Sequence, residues 1–116
     1  MPYIDCKKYP LKIKLKIENN KFLCLFSSYP TDDVMFEEIF GREVMLCDND
    51  MNIIWIINPE SGCTNTTNGV FEKNYLSNDA FFDIFEKNDK YYAVRGDCFL
   101  INMHNGLAEF DHWGKY

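Results

Sequence analysis

The sequence predicts a mainly β (β-rich α+β) domain: an antiparallel meander sheet curled into a small barrel or sandwich, with one short helix. Six or more short segments have the apolar or alternating pattern of strands, and tight-turn residues separate them. An apolar strand end, an Asn, three turn residues and a Gly occur at 56–62 and return 44 positions later at 100–106. We interpret both copies as turns at which an antiparallel chain reverses, since two copies are too few for a propeller repeat.

The first half of the chain predicts a hairpin followed by the helix. Residues 11–18 alternate between apolar and mostly lysine side chains, which indicates a half-buried strand whose lysines also protect a sheet edge. Asn19-Asn20 then turns the chain into 22–26, a fully apolar strand. The helix is predicted over 32–40, capped by Thr31 or Asp32, and Gly41 ends it. Its expected apolar stripe consists of Met35, Phe36, Ile39 and Phe40.

The second half predicts further strands joined by tight turns. They are expected at 43–48, 52–58, 63–67, 70–75, 91–95, 98–103 and 107–110. The segment 77–87 is ambiguous, because Ser77 could cap a helix whereas Phe82 and Ile84 alternate as in a strand. We favour the strand. A length of 116 residues fits a single domain, 1–116.

Charge is unevenly distributed along the chain. Residues 1–21 carry six lysines against two acids, a net charge of +4, and residues 22–116 carry 6 basic against 16 acidic groups, a net charge of −10. Phosphate binding requires cations, so this acidic body predicts no nucleic-acid partner. It matches the surface of a basic protein.

Cysteine content predicts a reducing compartment. The count of five is odd and no CxxC occurs, so we expect free and mostly buried thiols in a cytoplasmic protein. The first residues do not form a signal peptide, and the apolar runs are too short to span a membrane.

Candidate catalytic and metal-ligating residues are few. Cys98 could pair with His104 or His112 as a nucleophile and base, but nothing beyond proximity in sequence marks the pair. No ligand pair has the spacing of a structural zinc site, so neither metal nor cofactor is expected. Residues 48–52 resemble part of a calcium loop but lack its Gly and its terminal Glu, which favours a hairpin turn. The lysines of 11–18, with Phe22 or Phe26 as stacking platforms, give a nucleic-acid alternative.

A family resemblance enters through the second half of the chain. The short strands, the turn Asn-Pro-Glu-Ser-Gly at 58–62 and the segment 91–101 resemble bacterial toxin immunity proteins, including those of contact-dependent growth inhibition. The resemblance implies a small, acidic, non-catalytic protein that binds the toxic domain of a cognate effector, often a basic nuclease, and occludes its active site. A phage-encoded inhibitor of a host defence protein would have the same character.

The expected function is therefore that of an immunity protein or antitoxin, a monomer that binds a basic toxin through acidic loops and the outer face of the helix. The alternatives are a small Cys/His enzyme and a single-stranded nucleic-acid module. The predicted partner-binding residues are Asp32, Asp33, Glu37, Glu38, Asp48 and Asp50, with Trp113 or Tyr116 as an aromatic anchor.

Overall fold

Two β-sheets packed face to face form the body of the protein, whose computed structural model describes residues 4–64, 68–73 and 80–114. The first sheet is an antiparallel meander of β1 (Leu11–Lys16), β2 (Lys21–Phe26), β3 (Val44–Asp48) and β4 (Ile53–Ile56). The mainly β prediction is confirmed, and the two sheets form a sandwich.

The second sheet is an antiparallel meander extended by one parallel strand. A short β5 (Asn58–Pro59) and a small hairpin of β6 (Cys63–Thr64) and β7 (Phe71–Glu72) precede the meander. The meander strands are β8 (Asp83–Lys87), β9 (Lys90–Arg95), β10 (Asp97–Ile101) and β11 (Leu107–Trp113). β5 joins it beside β11, in parallel.

Apolar side chains from the facing sides of the two sheets make a central core. The first sheet contributes residues such as Leu23 and Trp55, and the second contributes Ile84 and Phe99. In β1 Ile13 and Leu15 pack against this core while the lysines stay exposed. The half-buried strand expected there is confirmed.

A second cluster, the outer core, covers the other face of the first sheet. Cys24 and Phe26 of β2 pack there with Met45 and Cys47 of β3. The segment Cys6–Lys8, which forms a 3-10 turn, lies over them together with other parts of the chain. Burial on both faces explains why β2 and β3 are apolar at nearly every position.

The expected helix over 32–40 is present only as a 3-10 turn at Glu37–Ile39. Thr31 and Val34 instead form an isolated antiparallel bridge, so Thr31 caps no helix. The Phe36 amide donates to the Ser28 carbonyl at 2.7 Å, which draws the chain back across the end of β2. That tertiary hydrogen bond replaces the local bond on which an α-helix depends.

The strand prediction for 77–87 is confirmed over its second half, whereas residues 80–82 precede the strand. Asp83–Lys87 is β8 and pairs with β9, whereas residues 77–79 lie outside the described chain. The hairpin of β3 and β4 is confirmed, as are β9, β10 and β11.

The turn prediction for 56–62 is wrong in its direction. The Ile57 amide donates to the Val44 carbonyl of the first sheet, and the Asn58 amide donates to the Gly106 carbonyl of the second, both at 2.9 Å. The segment is therefore a crossover between sheets. At 100–106 the chain does reverse, and β10 pairs directly with β11.

A buried glutamate fastens the two sheets together at one end of the sandwich. Glu43 is fully buried, and its carboxylate accepts three hydrogen bonds. The donors are the Ser28 hydroxyl at 2.5 Å and the amides of Gly41 and Phe81, each at 3.1 Å. Because three donors meet this one carboxylate, burial of its oxygens is compensated.

Candidate partner-binding surface

Residues 29–38, here called the acidic loop, leave the first sheet after β2 and lie partly against the outer core. The stem is fixed from beneath, because Phe36 and Ile39 pack in the outer core. The ring of Phe36 meets that of Tyr9 edge to face, with centroids 5.1 Å apart. The remaining side chains are therefore displayed on a supported backbone.

Four of the predicted site residues lie close together in sequence on this loop. Asp32, Asp33, Glu37 and Glu38 are all exposed. The Tyr9 hydroxyl donates to Glu38 at 2.7 Å, and this bond holds the pKa of the Glu38 carboxyl below its ordinary value. Within the described chain the other three make no ion pair, so their charge is directed at solvent.

Exposed apolar side chains alternate with these carboxylates. Tyr29 is 50% exposed, Val34 39% and Met35 43%. Met35 was expected in the apolar stripe of a helix; no α-helix forms there, and its side chain is exposed. Apolar groups at the centre of charged groups are the composition of protein interfaces, where desolvated anchors supply affinity.

The predicted carboxylates Asp48 and Asp50 lie in another place. Asp48 is the last residue of β3 and Asp50 lies in the turn after it, whereas the acidic loop follows the end of β2 that pairs with the start of β3. The five-residue strand is roughly 15 Å long. The Asp48 carboxylate accepts hydrogen bonds from the amides of Asp50 and Asn52, each at 2.9 Å. These bonds lower the pKa of Asp48, and the bond from Asn52 has the largest effect. Asp48 therefore organises the β3–β4 hairpin turn, as the sequence favoured.

The predicted aromatic anchor Trp113 lies on the second sheet. Trp113 ends β11 and is 56% exposed, beside a groove that it shares with Phe85 and Tyr92. Tyr116 lies outside the described residues. Trp113 thus belongs to a different surface from the acidic loop.

The Cys98 pairing expected for an enzyme is only partly assembled. Cys98 lies opposite His112 in the β10–β11 register, and His112 Nδ1 is 2.6 Å from Asp111 Oδ2. The thiol is fully buried, and that burial raises its pKa to about 12. An activated cysteine has a lowered pKa and is accessible, so this environment does not favour a nucleophile. His104 is exposed in the β10–β11 turn.

The other described thiols are also free and buried. Cys6, Cys24 and Cys47 share the outer core, where the Sγ atoms of Cys6 and Cys47 are 4.0 Å apart. Burial raises the pKa of Cys6. The prediction of free, buried thiols is confirmed for these three and for Cys98.

The nucleic-acid alternative loses one of its two stacking platforms. Phe26 is 1% exposed and packs in the outer core. Phe22 is half-buried, and the ammonium of Lys14 lies 4.2 Å from its ring centroid. The lysines of β1 therefore lack an open aromatic surface in the same strand pair.

Sequence reasoning missed a buried polar cluster beneath β9 and β10. The Arg95 guanidinium lies over the rings of Phe81 and Phe99 and donates to the carbonyl of Glu60 at 3.0 Å. Asp97 accepts the amide and the hydroxyl of Thr64. Both side chains are buried, and no local pattern in the segment 95–97 reveals it.

Among residues 4–64, 68–73 and 80–114, no group of three or more His, Cys, Asp or Glu side chains could hold a metal ion. In the same ranges no helix is long and apolar enough to cross a membrane.

Comparison with known proteins places the chain in no family. No protein-family model, no curated protein and no solved structure matches it. The class that the fold and surface define is a small β-sandwich with a displayed acidic and apolar loop.

Proposed function

We propose that this protein is a bacterial immunity protein of the contact-dependent growth inhibition type. It binds a basic toxin domain through the acidic loop and neutralises it without catalysis. The observation that carries this proposal is the loop itself, in which exposed carboxylates alternate with exposed apolar side chains above a buried stem.

Charge supports a basic partner. The chain from residue 22 onward has a net charge of −10, and the loop carries Asp32, Asp33, Glu37 and Glu38 on a short stretch of it. Opposite charges accelerate encounter between proteins, often by about tenfold or more at low salt. Affinity then comes from Val34 and Met35, which bury apolar surface when the partner excludes water.

The inhibitory step is occlusion. A nuclease binds substrate phosphates with cations, and the loop carboxylates take the positions of those phosphates while the sandwich blocks access. Buried free thiols fit action in the cytoplasm, where a toxin that has entered the cell meets its target.

The experiment measures binding to the toxin domain encoded by the neighbouring open reading frame. We expect the double substitution Asp33→Lys and Glu37→Lys to slow association at least about tenfold at low salt, by biolayer interferometry. Met35→Ala should mainly raise the dissociation rate, because it removes an apolar anchor.

A matched control is the double substitution Glu18→Lys and Glu109→Lys, which changes net charge equally at exposed sites away from the loop. A loop variant that associates like wild type and protects cells equally well contradicts the proposed surface. A neighbouring gene product that does not bind wild-type protein contradicts the proposed function.

A further inference from the structure

The outward face of the second sheet carries a row of aromatic side chains. Phe85 of β8 and Tyr92 of β9 are directly opposed, and their rings stack with centroids 5.1 Å apart at 15°. The Tyr92 ring meets the His112 ring at 6.5 Å and 62°. Trp113 stands at the edge of this row with more than half of its surface exposed.

These rings line a groove of about 490 Å³. Lys87 lies on its β8 side and Asp111 on its β11 side. In the sheet, β10 and β9 lie between β11 and β8, so the two opposite charges stand on the two sides of the groove.

We propose that this groove is a self-association surface that binds a second copy of the chain about a two-fold axis. A two-fold interface brings the same patch together from both copies, so it needs complementary groups within one patch. Lys87 and Asp111 provide that complementarity, because each can face the other in the second copy. Trp113 can enter the ring-lined groove of that copy.

Charge argues against other occupants. A basic partner would meet Lys87 at the groove, and a nucleic-acid strand would place phosphates near Asp111 and the exposed Glu109 of β11. Seven residues line the groove, against the roughly 20–30 residues a side of a standard interface, so we expect a small and weak contact. The monomer expected from sequence is thus the dilute form, and the dimer forms as concentration rises.

The test is sedimentation velocity over a wide concentration range. Wild type should pass from monomer to dimer, and Lys87→Glu and Asp111→Lys should each weaken dimerisation at least about tenfold because like charges then face each other. The two single variants mixed together should form a heterodimer of nearly wild-type affinity. In that heterodimer the two introduced charges face each other, and so do the two retained native charges. Trp113→Ala should weaken dimerisation without changing its charge dependence.

Lys12→Glu is the matched control, since it makes the same charge change on the first sheet and should leave dimerisation unchanged. Recovery in the mixture also verifies that both variants fold. Wild type that stays monomeric at every concentration overturns the proposal, as does a mixture that fails to associate. Monomeric wild type whose tryptophan fluorescence is quenched by oligouridine assigns the groove to nucleic acid and equally overturns it.

Discussion

The two copies of the Asn-x-x-x-Gly pattern have different structures. In the second copy, 102–106, the Gly106 amide donates to the Asn102 carbonyl at 2.8 Å and the Asn102 amide donates to the Leu107 carbonyl at 2.7 Å, which closes a hairpin. In the first copy, 58–62, the chain leaves the first sheet and runs parallel to β11 as β5. The same pattern therefore makes a reversal in one place and a crossover in the other.

Long-range partners account for this difference. The first copy has its carbonyls at Glu60 and Gly62 held by Arg95, and the Glu60 carboxylate accepts the Phe110 amide at 3.0 Å. The second copy is closed by bonds within its own turn. The turn residues specify that the chain changes direction at both places. The new direction depends on which groups form hydrogen bonds with the backbone amides and carbonyls of the segment.

The largest expected effect is at Arg95, which anchors the first copy. Arg95→Ala should destabilise the protein by roughly 3–5 kcal/mol, because it leaves two carbonyls without their buried donor and removes contacts with the Phe81 and Phe99 rings. Urea unfolding followed by circular dichroism measures the loss. Lys90→Ala, at an exposed cation of the same strand, is the control and should change stability by less than about 0.5 kcal/mol. A loss below that level for Arg95→Ala would mean that the crossover does not depend on this anchor.

Changing the glycines that end the two copies should give a smaller difference in stability between the copies. A Cβ on Gly62 would lie 2.5 Å from the Glu72 carbonyl oxygen, and one on Gly106 would lie 2.6 Å from the Trp55 ring. Both glycines have positive φ, so each change to Ala should cost about 2–4 kcal/mol, and Gly62→Ala should cost more because backbone atoms cannot move aside.

Gly41 is the control for these two changes, since its φ is also positive but a Cβ there meets nothing within 4 Å. Gly41→Ala should cost only the left-handed backbone term of about 1–2 kcal/mol. Equal unfolding midpoints for all three variants would contradict the packing argument.

A smaller difference is expected between the two asparagines. The Asn102 side chain accepts the His104 amide at 3.0 Å, so Asn102→Ala should destabilise the protein by about 1 kcal/mol. Asn58 makes no side-chain hydrogen bond within the described chain, and Asn58→Ala should stay within about 0.5 kcal/mol of wild type. Thermal unfolding of the two variants tests this. A larger loss of stability for Asn58→Ala than for Asn102→Ala would show that the pattern acts through Asn58.

The smallest expected effect is a pH dependence confined to the first copy. The hydrogen bond from the Phe110 amide has the largest effect on the Glu60 carboxyl and lowers its pKa below the ordinary value of 4.5. Lys73 lowers this pKa further. Glu60 therefore adds stability above its unfolded pKa, and this contribution is lost as pH falls through the lower folded value. Glu60→Gln should narrow the stability difference between neutral pH and about pH 3. An unchanged difference would show that other carboxyls account for the acid response.

The sequence alone predicted the mainly β fold and most of the strands, because hydrophobic alternation and turn residues act locally. It could not distinguish the carboxylates that are free to bind a partner from those that hold a local turn. Asp33 and Asp48 look equivalent in sequence, yet one faces solvent on the acidic loop and the other bonds the backbone of its own hairpin. That distinction depends on which backbone donors surround each side chain.

Tertiary structure decided the rest. Residues 32–40 have helical spacing, but no α-helix forms there. The Phe36 amide donates to the Ser28 carbonyl instead, and Ile39 packs in the outer core. Glu43 and Arg95 are charged residues of a type usually found at the surface, yet both are buried. Backbone groups that are distant in sequence form hydrogen bonds with their side chains and compensate that burial. Local patterns fix where strands and turns occur, whereas burial of a polar side chain depends on partners that sequence spacing does not specify.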